Sequence, residues 1–384
     1  MSHHVGARTQ PIYKAPTAPP NPGEWTLVAL RQHLQTAVLL ELYTIPLYLF
    51  SAYSIKREPG TQGTNEADAQ DTILEIVVQE MFHLGLAGNL LTALRGRPQV
   101  YGEAFTPKYP SEILYEGVLM TLAPAKKSQI ENFAEVEQPV PHRVDITEEK
   151  ASTRTLGQYE SIGQFYESLK QGLQELHKRL GDDIFDQDSA KRQWEGRKGT
   201  PLTTIVDLPT ALEKLELIIE QGEGGPSEPS GKSHFDEFTR LSKLDLDVYP
   251  LASNPKTSQF ENREDTYPVM LAFDAAFSYL LWTLEAGWTY GGPDEDKKKK
   301  MRANLHILMV DVLGPIARFL VTQKLQTFNK NAAPPFNLYI FRPDTSPLQE
   351  FQKLVGDAAN KYPQSAELKA AVAKVAGLFD LGDV

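Results

Sequence analysis

The sequence predicts an all-α protein: a four-helix bundle with additional C-terminal helices and a long insertion between its second and third helices. Three observations carry this expectation. Long segments place apolar residues three and four apart, and no segment of any length alternates apolar and polar residues as a half-buried strand would. Prolines and glycines cluster between these segments far more than within them. Single ionisable residues interrupt otherwise apolar helical stretches, which is the pattern of a bundle with a polar centre.

The elements follow in order. Residues 1–23 are polar and carry Pro11, Pro16, Pro19, Pro20 and Pro22, so they read as an extended arm without the apolar core of a secretory signal. Glu24–Ile55 is a long helix with a kink expected at Pro46, whose ring displaces the carbonyl of Leu42. Ala67–Leu94 is a second helix, stopped by Gly96 and Pro98. The insertion, residues 96–157, is divided by prolines and holds one helix near 127–136. Ile162–Leu180 is a third helix, closed by Gly181. Thr210–Glu220 begins a fourth, runs into Gly222, Gly224, Gly225, Pro226 and Pro229, and resumes near Ser233. Thr266–Tyr290, Lys297–Thr327 and Gln349–Phe379 are further helices. The expected organisation is an arm (1–23), a metal-binding bundle (24–245) and additional helices packed on it (246–384).

Composition narrows the chemistry. The chain has 384 residues and a formal net charge of −11, so it has no global attraction for nucleic acid or anionic lipid, and neither is an expected partner. Two apolar runs, Ala37–Ile55 and Val269–Trp288, are long enough to cross a bilayer, but hydroxyls, carboxylates and Pro46 within them favour buried core helices over membrane spans. With no cysteine there is no disulfide, thiolate-bound cluster or cysteine nucleophile, which fits a cytoplasmic location. Any bound metal must be held by His, Asp and Glu, which suits iron or manganese.

The chemical signal lies in the helices. Glu41 stands alone in Val38-Leu39-Leu40-Glu41-Leu42. On the second helix Glu80 and His83, three residues apart, share a face with Ile76, Val77, Leu84 and Ala87. Burying an ionised carboxylate is costly unless it is paired, hydrogen-bonded or metal-bound. In isolation Glu80 and His83 are an ordinary helix-face pair; beside a lone core Glu on the preceding helix they are half of a carboxylate-bridged dinuclear site. The other half calls for a Glu on the third helix and a Glu/His pair on the fourth. Glu167 has the most apolar surroundings on the third helix, where Glu160 and Glu175 also lie. The fourth offers Glu216, Glu220 and Glu223, with no His three residues on. His234 follows Glu223 by eleven positions, a separation of about 16 Å along a continuous helix. It joins a common site only if Gly224–Lys232 loops out, which that Gly/Pro-rich composition suits. Thr44, Tyr48 and Gln164 share faces with Glu41 or Glu167 and are candidates to hydrogen-bond the ligands.

These residues carry a resemblance. Leu34-Gln35 through Glu41, Thr44-Ile45-Pro46, Tyr48, Ala52-Tyr53-Ser54-Ile55, Gln79-Glu80-Met81-Phe82-His83 and Asn89-Leu90-Leu91 are similar to the ferritin-like domain family that includes iminophenyl-pyruvate dimer synthase proteins of the violacein-pathway type. Ile162-Gly163-Gln164-Phe165-Tyr166-Glu167, Gln221-Gly222-Glu223-Gly224, Ser233-His234-Phe235 and Pro335-Phe336 extend it more loosely. The resemblance implies two iron ions per chain, manganese being the alternative. It implies as ligands Glu41, Glu80, His83, Glu167, Glu223 and His234, with Glu220 able to replace Glu223. It implies an O2-dependent diiron oxidase or oxygenase of specialised metabolism, with O2 and a small, amino-acid-derived substrate as partners. A ferroxidase or iron-handling protein, or a non-catalytic binding protein, are the competing readings.

Overall fold

The computed structural model describes residues 13–57, 60, 62–112, 118–139, 159–224, 233–292 and 294–383, and these contain helices and isolated β-bridges but no β-strand. Residues 1–12 of the arm, 140–158 of the insertion and 225–232 of the Gly/Pro-rich segment lie outside the described residues.

Four helices form the bundle: α1 (Leu27–Ser54), α2 (Asn65–Ala93), α4 (Ile162–Leu180) and α5 (Leu208–Gly222). Each begins at a side-chain cap, from Thr26, Thr64, Ser161 and Asp207 respectively, so each start is written locally. α1 and α2 run antiparallel: Arg31 near the start of α1 donates to the carbonyl of Leu94, and Gln70 near the start of α2 donates to that of Ala52. α4 is antiparallel to α1, since Arg179 at its end donates to the Trp25 carbonyl. α1 remains helical through Pro46. The insertion contributes α3 (Lys127–Val136), which packs on α6 (His234–Leu241), the resumed half of the fourth helix.

The C-terminal part adds α7 (Tyr267–Thr289), α8 (Glu295–His306), a π-helical segment Ile307–Leu313, α9 (Gly314–Thr322), α10 (Pro347–Lys361) and α11 (Ala366–Val375). Two expectations are corrected here. The apolar segment 297–327 ends at Thr322 and widens into a π-helix just ahead of Pro315, whose ring excludes the carbonyl four residues earlier and which has no N–H for the α-helical ladder. The segment 349–379 is two helices rather than one, parted at Pro363 and restarted by the Ser365 cap.

Close approach of α2 to the C-terminal part depends on a glycine. A Cβ on Gly88 would lie 2.1 Å from the Trp288 ring, so the indole occupies the place of a side chain. Next to it, buried Asn89 accepts from the Trp194 N–H at 2.8 Å and the Trp288 indole N–H at 3.2 Å, and donates to the carbonyls of Trp194 and Thr203.

Among the described residues, three helical stretches are long and apolar enough to cross a membrane: Leu27–Ser54, Tyr267–Thr289 and Glu295–Thr322. The first two bury 83% and 72% of their apolar windows inside the protein, as core helices do, whereas Glu295–Thr322 buries 44%.

Asp274 on α7 is buried, and among the described residues no cation pairs with it. Its Oδ1 accepts the Asn337 N–H at 2.9 Å, and its Oδ2 shares a 2.5 Å hydrogen bond with Thr257 Oγ1, pinning the Pro335-Phe336 segment to the helix. Burial pushes its carboxyl up to about 8, against the weaker opposing pull of these two bonds. An acid whose folded pKa exceeds its unfolded value costs stability as pH rises between the two values. The thermal midpoint should therefore fall on going from pH 6 to pH 9, and Asp274→Asn, which retains the shape without ionising, should flatten that fall. A midpoint in Asp274→Asn with unchanged pH dependence would contradict the assignment.

Candidate metal centre

Five side chains from four segments meet at the bundle centre: Glu41 from α1, Glu80 and His83 from α2, Glu137 at the C-terminal cap of α3 and His234 at the first position of α6. All five are at most 4% exposed, which makes this a desolvated cluster of three carboxylates and two imidazoles. They form two metal-capable triads, Glu41/Glu80/His83 and Glu80/Glu137/His234, with Glu80 common to both.

The two oxygens of Glu80 face different histidines. Its Oε2 lies 3.9 Å from Nδ1 of His83, and its Oε1 lies 2.8 Å from Nδ1 of His234. Glu41 Oε2 is 3.5 Å from the same His83 nitrogen, and Glu137 Oε2 is 3.8 Å from the same His234 nitrogen. Thr44 Oγ1 donates to Glu80 Oε2 at 3.0 Å. The arrangement repeats itself about Glu80: a terminal carboxylate and an imidazole on each side.

Both imidazoles are held at the far nitrogen. Nε2 of His83 lies 2.8 Å from Oε1 of Gln221, and Nε2 of His234 lies 2.7 Å from Oε1 of Gln79. An amide oxygen accepts, so each Nε2 carries a proton, and each Nδ1, turned toward the carboxylates, is the nitrogen left to bind a cation once its own proton is lost. The Nδ1 of His234 is buried, close to Glu80 but aligned for no hydrogen bond. A buried, unsatisfied imidazole nitrogen among carboxylate oxygens is poor design for a dry core and the right design for a shared cation. The donor set holds nitrogen and oxygen without sulfur, which fits iron or manganese.

In the metal-free chain, protons take the cation's role. Burial alone would push both imidazoles down. Glu41 and Glu80 outweigh that and raise His83, and Glu80 and Glu137 raise His234 to about 10. Burial and the neighbouring Glu41 push Glu80 up to about 7, against the pull of His234. Burial also opposes ionisation of Glu41, but bonds from His83, Glu80 and Tyr166 hold it below the usual carboxylate range.

The sequence-predicted residues divide as follows. Glu41, Glu80, His83 and His234 are brought together, Thr44 bonds Glu80, and Tyr48 donates to Glu137 Oε1 at 2.5 Å. Glu167 and Glu223 stand apart from the cluster. On α4 the buried stripe runs through Phe165, Tyr166, Leu169, Leu173 and Leu176, so Tyr166 faces the centre and Glu167 turns outward to Lys170 at 2.9 Å. Glu223 caps the start of α4, its Oε1 accepting the Gly163 N–H at 2.7 Å. Glu220 belongs to neither triad, and Gln164 accepts the Glu160 N–H at 2.6 Å, away from the centre. Gly224 and Ser233 lie close together, since a Cβ on Gly224 would sit 3.5 Å from the Ser233 side chain; the loop expected between them falls on residues 225–232, outside the described residues. His234 lies beside Glu80 and Glu137, and Glu223 belongs to neither triad.

Sequence reasoning missed Glu137, Tyr166, Gln79 and Gln221. A signal existed for Glu137, which continues the face of Ile130 and Phe133 at spacings of three and four. One also existed for Tyr166, which lies on the apolar stripe of α4.

The ferritin-like family profile matches residues 34–243, more than half of the chain and the whole of the five-residue cluster. The chain belongs to the ferritin-like family. A solved structure of a ferritin-like protein from Caulobacter vibrioides is similar to this ferritin-like chain, with 23% identity and a TM-score of 0.48 over 74% of this chain and 95% of that one. No curated protein matches it. What is established for this ferritin-like protein is thus an all-α bundle with extra helices and a buried Glu/His cluster able to hold metal.

Proposed function

We propose that this ferritin-like protein is a non-haem diiron, O2-dependent oxidase or oxygenase acting on a small organic substrate, of the iminophenyl-pyruvate dimer synthase type. One observation carries the proposal: two triads share the two oxygens of Glu80, and each imidazole turns Nδ1 inward because a glutamine holds its Nε2. Glu41, Glu80 and His83 would hold one ion, and Glu80, Glu137 and His234 the other. When bound there, a pair of ferrous ions would supply electrons for O2 reduction. The chain's own residues do the rest. Thr44 fixes Glu80, Gln79 and Gln221 set the histidine tautomers, and the near-complete burial of the cluster excludes bulk water. Iron storage is disfavoured by size, since the chain adds about 150 residues to an ordinary four-helix bundle. The test is O2 uptake by the Fe(II)-loaded protein with and without a panel of α-imino and α-amino acids. Substrate-dependent uptake supports the oxidase; uptake that depends on Fe(II) alone supports a ferroxidase; none with metal bound leaves a binding protein.

Metal binding should be linked to protons. His83 and His234 are both raised above the ordinary imidazole value, His234 to about 10, so at pH 7 the metal-free His234 carries a proton that an incoming ion must displace. Affinity should rise with pH through the neutral range. Calorimetric titration with Mn(II) in two buffers of different ionisation enthalpy should show proton release near pH 7; identical heats would contradict it.

A further inference from the structure

The repeat about Glu80 extends one layer beyond the triads, and it does so through two tyrosines. Glu41 turns Oε2 toward His83 and gives Oε1 to the hydroxyl of Tyr166. Glu137 turns Oε2 toward His234 and gives Oε1 to the hydroxyl of Tyr48. The phenols come from different helices, α4 and α1, yet each takes the outer oxygen of a terminal carboxylate and leaves the inner one facing the centre. Both rings are fully buried. Tyr48 is wedged between Phe133 and Phe238, each with ring centroids 4.8 Å away, and Tyr166 packs edge-on against Phe165 at 5.5 Å. Neither hydroxyl can swing away without moving a packed aromatic ring.

We infer that Tyr48 and Tyr166 are positioning residues that restrict Glu137 and Glu41 to one-oxygen ligation, keeping a coordination position open at each ion for a small exogenous ligand. A carboxylate with both oxygens free can bind a metal through one oxygen or chelate it through two. An outer oxygen that already accepts a bond from a rigid, buried phenol must give up that bond to turn inward. Binding sites for O2 and for a substrate carboxylate or imine require such open positions. Among the described residues no phenol bonds Glu80: its oxygens face the two histidines, and Thr44 adds a hydroxyl bond. This inference rests on the dinuclear reading of the cluster.

The test uses Co(II), whose visible bands report coordination number, and azide as the exogenous ligand, on the full chain and on Tyr166→Phe and Tyr48→Phe. Each variant removes one oxygen from a ring whose packing is otherwise kept, and circular dichroism monitors the fold. In the unaltered protein, intense visible bands and their perturbation by azide are expected. In each variant the bands should weaken as Oε1 joins the ion, and azide affinity should fall about tenfold. Spectra and azide affinity unchanged in both variants would overturn the inference while leaving the metal centre intact. Absence of any Co(II) binding to the unaltered protein would overturn the dinuclear reading, and the inference with it. Two phenylalanine variants on separate helices keep the test decisive if one of them misfolds.

Discussion

Glu80→Ala is expected to remove both metal ions, whereas His234→Ala and His83→Ala are each expected to remove one. Glu80 is the single residue common to both triads, with its Oε2 toward His83 and its Oε1 toward His234. Losing it takes a donor from each ion and should weaken both by more than about 100-fold, beyond the effect of altering a group that only supports a ligand. His234 serves the second triad alone, so its loss should leave the Glu41/Glu80/His83 ion in place. Elemental analysis after Fe(II) or Mn(II) loading, with circular dichroism as the control for folding, reads the outcome. Two ions retained by Glu80→Ala, or both lost in His234→Ala with helicity intact, would contradict a Glu80-bridged pair. Glu167→Ala and Glu223→Ala should keep both ions, because Lys170 and the start of α4 are their partners. The stability of the metal-free variants has no fixed sign, since Glu80→Ala removes a buried charge together with its partners' compensation.

The second large effect is structural. Asn89→Ala should destabilise the protein by about 3 kcal/mol while leaving the metal stoichiometry unchanged. The Asn89 side chain satisfies two N–H groups and two carbonyls, among them the backbone N–H of Trp194 and the indole of Trp288. Alanine leaves these groups buried and unpartnered, at roughly 1–3 kcal/mol for each that water cannot reach. Asn89 lies six residues beyond His83 on α2, about 9 Å along the helix, so the cluster itself should be untouched. Chemical denaturation should register the loss; a change smaller than about 0.5 kcal/mol would mean that the segment around Trp194 is not held by this residue.

These two positions also show what was readable in advance. Glu80 was legible because it shares a face with His83, Ile76 and Ala87 while the preceding apolar helix carries the lone Glu41, and burying both carboxylates is costly unless they serve a polar site. The extents of α1, α2, α3 and α4 were legible within a few residues because caps, glycines and prolines act locally. Asn89 was visible as part of a motif, but its bonds reach Trp194 and Trp288, 105 and 199 residues away.

The sequence by itself determined the helices, the bundle class and the half of the centre carried by α1 and α2, because a helix converts spacing directly into a shared face. Tertiary structure decided the other half. Four-helix symmetry points to a carboxylate on the third helix, yet α4 turns Tyr166 inward and the insertion supplies Glu137 from the end of α3. The fourth helix ends at Gly222, and a new helix beginning at His234 sets that histidine beside Glu80. Those partners are separated from Glu80 by 57 and 154 positions, and no local rule connects them: which carboxylate reaches the centre depends on how α3 and α6 dock on the bundle. The same holds for Gln79 and Gln221, whose role appears only when each meets its histidine across the interior.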